Sequence, residues 1–240
     1  MVKSYQKRTR AMGEYSYIGE NYRALSEKIK TLSALAGRKV TLVAVTKSGN
    51  DAELVALAEA GMLEIAENRP GELRRRADIL YAAGYKPTLH EIGNLQRNKV
   101  KLIAPDVALI HSLDTIELAR EIDKHATRLG RVIPALIEVN SAREEQKGGV
   151  DPDFAEEFLL ALRNMNGIEV RGLMTMGPVS DDPETLRPYF RETKQLFDRL
   201  NAKYEFRDGG ILSMGMSDSY EVAIEEGSTL VRVGRAFFRK

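Results

Sequence analysis

The sequence predicts a single (β/α)8 barrel, and three observations lead there. Eight short apolar runs alternate with helical patterns from end to end. The chain has 240 residues, close to the ~250 typical of such a barrel. No Gly-x-Gly-x-x-Gly turn follows the first strand, which weighs against an open doubly wound sheet.

The elements are expected in this order. Residues 20–35 form an amphipathic helix, with Tyr22, Leu25, Ile29 and Leu32 at helical spacing. Residues 40–46 are the first strand, an apolar run that ends at Lys47. Residues 52–60 form a helix capped by Asn50 or Asp51 and stopped by Gly61. A strand at 62–66 precedes a helix at 70–83, which has Pro70 in its first turn and Gly84 past its end. A strand at 88–92 leads to a short basic helix at 94–103. The fourth strand is 107–111, and a helix at 114–129 follows with Ser112 or Asp114 as cap. The fifth strand is 132–139, and Asp151-Pro152 opens a helix reaching Met165. Residues 168–174 are the sixth strand and 183–200 a long helix. Residues 211–213 are a weak seventh strand, 217–226 a helix, and 229–233 the eighth strand. The extra N-terminal helix can stand where the barrel's last helix is missing. No composition shift divides residues 1–240 into two domains, and no β domain is expected after the eighth strand.

Composition bounds the function. The apolar fraction is 43% and the net charge +1, from 36 basic and 35 acidic side chains. Such a balance gives no reason to expect nucleic acid or an acidic membrane as partner. Cysteine is absent, so disulfides and thiolate metal sites are excluded. There is neither a signal-like N-terminus nor an apolar segment near the ~20 residues of a membrane span. A cytoplasmic monomer is the expectation.

In a parallel barrel the strand ends converge on one mouth, where active sites sit. Here they bring Lys47, Asn68, His90, His111, Asn140, Met174, Ser213, Ser217 and Arg232. A lone lysine at a strand end is ordinarily solvated, but one held in a mouth can attack a carbonyl and form a Schiff base. The turn Ser213-Met214-Gly215-Met216-Ser217 enters a helix, and Arg232-Val233-Gly234-Arg235 ends the next strand. Either turn alone is as readily a cap or a chain reversal. Together, after strands seven and eight, they favour a phosphate site. Lysine plus phosphate admits a sugar phosphate, as in an aldolase, or pyridoxal 5'-phosphate (PLP). His90, His111 and His125 lack metal-ligand spacing and read as structural or pocket-lining. Arg74-Arg75-Arg76 reads as a solvated helix face, and Arg97, Lys99 and Lys101 as a basic rim.

Six segments in order then carry a resemblance: Val43-Ala44-Val45-Thr46-Lys47, Ala66-Glu67-Asn68, Ile92-Gly93-Asn94-Leu95-Gln96-Arg97-Asn98-Lys99, Gly172-Leu173-Met174-Thr175-Met176-Gly177, Ser213-Met214-Gly215-Met216-Ser217-Asp218 and Gly227-Ser228-Thr229-Leu230-Val231-Arg232-Val233-Gly234. Together they resemble the YggS/PROSC family of PLP-binding, or PLP homeostasis, proteins, from about Val40 to Phe238. The resemblance implies a single fold-type III barrel like the N-terminal domain of alanine racemase. It implies a Schiff base between PLP and Lys47, with Asn68 near the ring hydroxyl and Met214 packed near the cofactor. Ser217 and Gly234 would hold the phosphate, and Arg232 would meet either the ring nitrogen or the phosphate. The chain departs from the family pattern at Ala66, at Arg69-Pro70, at Ala142-Arg143 and at Arg235, where a hydroxyl side chain is usual.

The resemblance further implies a carrier or regulator of PLP, with PLP-accepting apo-enzymes as partners. The alternative is a fold-type III amino-acid racemase. Racemisation needs a second acid/base opposite the lysine, and the matched segments supply none.

Overall fold

In this computed structural model, which describes residues 14–144 and 146–240, eight parallel strands close in sequence order into a barrel. They are β1 (Thr41–Val45), β2 (Glu64–Glu67), β3 (Thr88–Glu91), β4 (Val107–Leu113), β5 (Ile133–Glu138), β6 (Ile168–Met174), β7 (Ile211–Ser213) and β8 (Leu230–Val233). Each lies within two residues of its predicted run. The ring closes where β1 pairs with β8, Leu42 opposite Val231 and Ala44 opposite Val233.

Strand side chains alternate between two faces. Val43, Val45, Ala66, Leu109, Leu136, Met174 and Leu230 fill the barrel interior. Their neighbours along each strand face the helices: Ala44, Ile65, Val231 and Val233 in one outer cluster, Ile110, Ile137, Leu173 and Leu212 in another. Burying each large aliphatic side chain contributes roughly 1.5–3 kcal/mol.

Local chemistry sets the helix ends. The helix Asp51–Glu59 opens with a capping box: Asn50 Oδ1 accepts from the Ala52 and Glu53 N–H groups at 2.9 and 3.0 Å, and Glu53 accepts from the Asn50 N–H at 2.7 Å. The helix Pro70–Ala82 has proline in its first turn, and Gly84 follows at φ +91°. Between β4 and β5 the cap of helix Ile116–Arg128 is Thr115, whose hydroxyl accepts from the Leu118 N–H. Ser112 cannot serve, because β4 runs on to Leu113 and the Ser112 hydroxyl donates to the Gly93 carbonyl.

The basic helix expected at 94–103 is a 3-10 turn, Arg97–Lys99, followed by one short helix, Val100–Ile103. A Cβ on Gly93 would collide with the Asn68 backbone, so the chain first runs closely past the β2 loop. The helix expected at 151–165 forms over Ala155–Leu162, and that expected at 183–200 splits into Pro183–Leu186 and Arg187–Tyr204. The last two outer helices are Tyr220–Glu225 and Arg235–Phe238; the second was not anticipated.

The N-terminal helix, Ser16–Leu35, lays Ile18, Leu25 and Ile29 against Leu54, Leu57, Val233 and Phe237. It therefore covers the β8–β1 seam, as expected. The Asn21 amide fastens it by donating to the carbonyls of Phe237 and Arg239 at 3.0 and 2.7 Å. Among the described residues no helix is long and apolar enough to cross a membrane.

Candidate functional site

Lys47 sits in a 3-10 turn, Thr46–Ser48, directly after β1. Its side chain is exposed, and among the described residues none makes a hydrogen bond or ion pair with its ammonium. It shares a cavity of about 480 Å³ with Asn68, Glu67, Arg69 and Arg76. The turn is held from behind. Arg76 Nη2 donates to the Gly49 carbonyl at 2.5 Å and to the Thr46 carbonyl at 3.4 Å. Thr46 Oγ1 donates to Glu67 at 2.6 Å. The Phe238 ring lies so close over Gly49 that a Cβ there would collide with it.

Arg76 corrects one reading of the sequence. Arg74 and Arg75 pair with carboxylates near the surface, but Arg76 is 5% exposed and braces the lysine turn. Its position was legible: it falls three residues after Leu73, on the stripe that carries Ala77 and Leu80 to the core. The same buried layer holds two carboxyls. Burial raises Glu67, against the Thr46 hydroxyl and Arg76. Burial pushes Glu91 up to about 8, opposed by the Gly93 N–H and aided by Glu67. Glu91 Oε2 and Arg76 Nε are buried without a hydrogen-bond partner.

The strand seven and eight loops meet beside this turn. The Gly234 N–H donates to Ser217 Oγ at 3.2 Å. A Cβ on Gly234 would stand 3.0 Å from the Val45 carbonyl, so glycine brings this loop onto the end of β1. Gly215 has φ +89°, a conformation that favours glycine. Residues 217–219 form a turn ahead of the short helix Tyr220–Glu225, instead of beginning the helix themselves. The N–H groups of Ser217 and Asp218 find no acceptor among the described residues. Arg235 points to the rim, where it pairs with Asp218.

Arg232 lies inside the barrel, 3% exposed. It donates to the Ser213 carbonyl at 3.0 Å, to Ser213 Oγ, and to the Thr175 carbonyl at 3.1 Å. Burial lowers its pKa to about 10, with Glu138 opposing the shift, so it stays charged at neutral pH. Met214 does not face this space. It is fully buried and its side chain joins the outer cluster between sheet and helices, because it follows Ser213 in the period-two alternation.

Glu138 is a site group the sequence reading missed. It ends β5, two residues after the inward Leu136 and on the same face. Burial and Asp114 raise it to about 7, against the attraction of Arg232. The alternation was the available signal. Among the described residues no cluster of His, Asp or Glu could hold a metal ion.

Residues 21–239 match the alanine racemase N-terminal domain family. A pyridoxal phosphate homeostasis protein of Aquifex aeolicus is 39% identical over 215 residues, covering 88% of this chain and 93% of its own. The chain belongs to the pyridoxal phosphate homeostasis protein family. Among solved structures, an unknown protein from Bifidobacterium adolescentis matches with TM-score 0.84 and 34% identity, over 94% of this chain and 96% of its own. PipY of Synechococcus elongatus with PLP bound matches with TM-score 0.80 and 27% identity, over 92% of this chain and 100% of its own. For this member of the homeostasis protein family, the residues at the mouth fit PLP. There is a free amine, a cup of backbone N–H groups closed by Gly234, and a guanidinium in the barrel whose Nε makes no hydrogen bond among the described residues.

Proposed function

We propose that the protein binds PLP through a Schiff base on Lys47 and serves in PLP supply rather than in turnover. The observation that carries this is the free Lys47 ammonium on a braced turn, against which the Ser217–Gly234 loops close. PLP supplies an aldehyde to the amine and a phosphate to the loops. Ser217, Gly234 and the free N–H groups beside them hold the phosphate, with Arg235 contributing charge from the rim. Asn68 lines the lysine cavity and is placed at the ring hydroxyl. Arg232, inside the barrel, is placed at the ring nitrogen. A guanidinium there keeps that nitrogen unprotonated, because it can only donate. Such a ring is a weak electron sink, which suits a carrier. Met214 takes no direct part, since its side chain faces the helices, its N–H donates to the Leu230 carbonyl and its carbonyl accepts from Ser228.

The working unit in this reading is one barrel in the cytoplasm. The exposed Arg97, Lys99 and Lys101 form the surface that meets PLP-accepting apo-enzymes. Reversing those charges should slow PLP transfer to an apo-enzyme; an unchanged rate would remove that role.

The main test is borohydride reduction of the PLP-loaded protein followed by peptide mass spectrometry. PLP should be fixed on Lys47, and Lys47→Ala should lose both the fixed group and the yellow colour. Fixation at another lysine, or none, defeats the reading.

Glu138 favours a second reading, an amino-acid racemase. It stands at the end of β5, four strands around the closed ring from β1, and titrates near neutrality. A panel of amino acids should show no sustained racemisation; racemisation lost in both Lys47→Ala and Glu138→Gln would establish the enzyme instead.

A further inference from the structure

A chain of hydrogen bonds runs through the barrel interior. Glu64 Oε2 lies 2.7 Å from His90 Nε2. His90 Nδ1 lies 3.0 Å from His111 Nε2, and His111 Nδ1 lies 3.1 Å from Ser213 Oγ. Ser213 Oγ accepts from Arg232. His90, His111, Ser213 and Arg232 are all buried. Only Glu64 is open, its side chain 39% exposed, beside a cavity of about 230 Å³ lined by Thr41, Thr88 and Thr229, where strands begin. The chain thus joins the two ends of the barrel.

Its ends give it a direction. A guanidinium can only donate, and an ionised carboxylate can only accept. With one proton on each imidazole, Arg232 donates to Ser213, Ser213 donates to His111 Nδ1, His111 Nε2–H donates to His90 Nδ1, and His90 Nε2–H donates to Glu64. Burial, then His90 and Arg232, holds His111 well below the usual imidazole range, which keeps that ring neutral. Each link from Arg232 to Glu64 then has one donor and one acceptor, and no ring or hydroxyl along it can turn alone without orphaning a neighbour.

We propose that Ser213, His111 and His90 are positioning residues for Arg232, and that the Glu64 carboxylate at the far end of the barrel sets the direction in which they hold it. This rests on the reading that Arg232 faces the PLP ring nitrogen. Replacing the terminal acceptor by a donor would reverse every link from residue 64 to Ser213, while Arg232, which can only donate, still donates to Ser213. His111 would then donate to Ser213, and the Ser213 hydrogen would have to leave the chain on the cofactor side.

The test uses ¹⁵N-labelled protein free of PLP, with imidazole tautomers read from ¹H–¹⁵N correlations. Both His90 and His111 should carry their proton on Nε2. In Glu64→Lys both protons should move to Nδ1. Once PLP is loaded, the absorption maximum of Glu64→Lys should differ from that of the unsubstituted protein by several nanometres. Ser213→Ala, which cuts the chain beside Arg232, should displace the maximum while leaving the fold's circular dichroism unchanged. An Nδ1 proton on either ring of the unsubstituted protein overturns the direction. Unmoved tautomers in Glu64→Lys overturn the role of Glu64. An unmoved absorption maximum in both variants overturns the link to the cofactor. The tautomer results do not depend on PLP, so a failure of Lys47 to bind it would be seen separately.

Discussion

Two buried polar systems flank the first three strands, one on each face of the sheet. Inside the barrel, the side chains from Arg232 to Glu64 are linked end to end by hydrogen bonds, with only Arg232 Nε left over among the described residues. Outside, between β1–β3 and the helix Pro70–Ala82, Arg76 and the carboxyls of Glu67 and Glu91 share a smaller space. There Glu91 Oε2 is left without a hydrogen-bond partner, and Arg76 Nε has only the Glu67 carboxylate, 3.7 Å away. The inner system spans the barrel and fixes orientation. The outer one braces the lysine turn at a cost in stability, since an unpartnered buried polar atom costs about 1–3 kcal/mol. Order inside and strain outside meet at the same mouth.

The largest break comes from Arg76→Ala. It strands Glu67 in the core and removes the brace from the Thr46 and Gly49 carbonyls, so denaturant unfolding should show a loss of about 3–5 kcal/mol. PLP affinity should fall with it. Stability near that of the unsubstituted protein would mean that the outer cluster does not hold the turn.

Glu91→Gln acts in the opposite direction. A carboxyl raised to about 8 in the folded protein, against 4.5 ordinarily, favours folding only while protonated. Its contribution is complete at low pH and is lost as pH rises from about 4.5 through 8. The native protein should therefore weaken between pH 6 and pH 9. Glu91→Gln should remove that slope and gain about 2–4 kcal/mol at pH 9. Equal slopes in the two proteins would show that Glu91 is not buried as described.

Ser213→Ala tests the inner system. It leaves His111 without its donor and takes the hydroxyl acceptor from Arg232, whose bonds to the Ser213 and Thr175 carbonyls remain, at a cost of about 1–3 kcal/mol in unfolding. That loss, measured against the unsubstituted protein, should change little with pH, in contrast to the effect of Glu91→Gln. Arg235→Ser should move stability least, by at most about 1 kcal/mol, because its pair with Asp218 is exposed on both sides. PLP titration of that variant would show whether a rim charge matters to the phosphate loops.

The barrel was legible because short apolar runs alternate with helical patterns along the chain, and each run met its strand within two residues. That Lys47, Ser217 and Gly234 meet at one mouth was legible because strand ends in a parallel barrel must converge. What stayed hidden depends on which way a side chain turns. Arg76 was lost among three consecutive arginines, although only one of three adjacent helical positions can join the stripe of Leu73, Ala77 and Leu80. Glu64, His90 and His111 lie on strands whose ends were located well enough, yet their mutual contact depends on register across neighbouring strands. Glu138 and Met214 were decided by strand alternation, inward for one and outward for the other. The split of residues 94–103 turned on the close passage of Gly93 and Asn68, a contact between segments that sequence spacing does not express.

The tie between Asn21 and the Phe237 carbonyl joins residues 216 positions apart, and the ring of Phe238 sits on the turn that presents Lys47. During synthesis Lys47 is among the earlier residues to emerge, whereas the piece that closes over its turn is among the last. A chain clipped before residue 237 would lose that ring and the Asn21 tie together, leaving the Lys47 turn held only from behind, by Arg76 and Glu67.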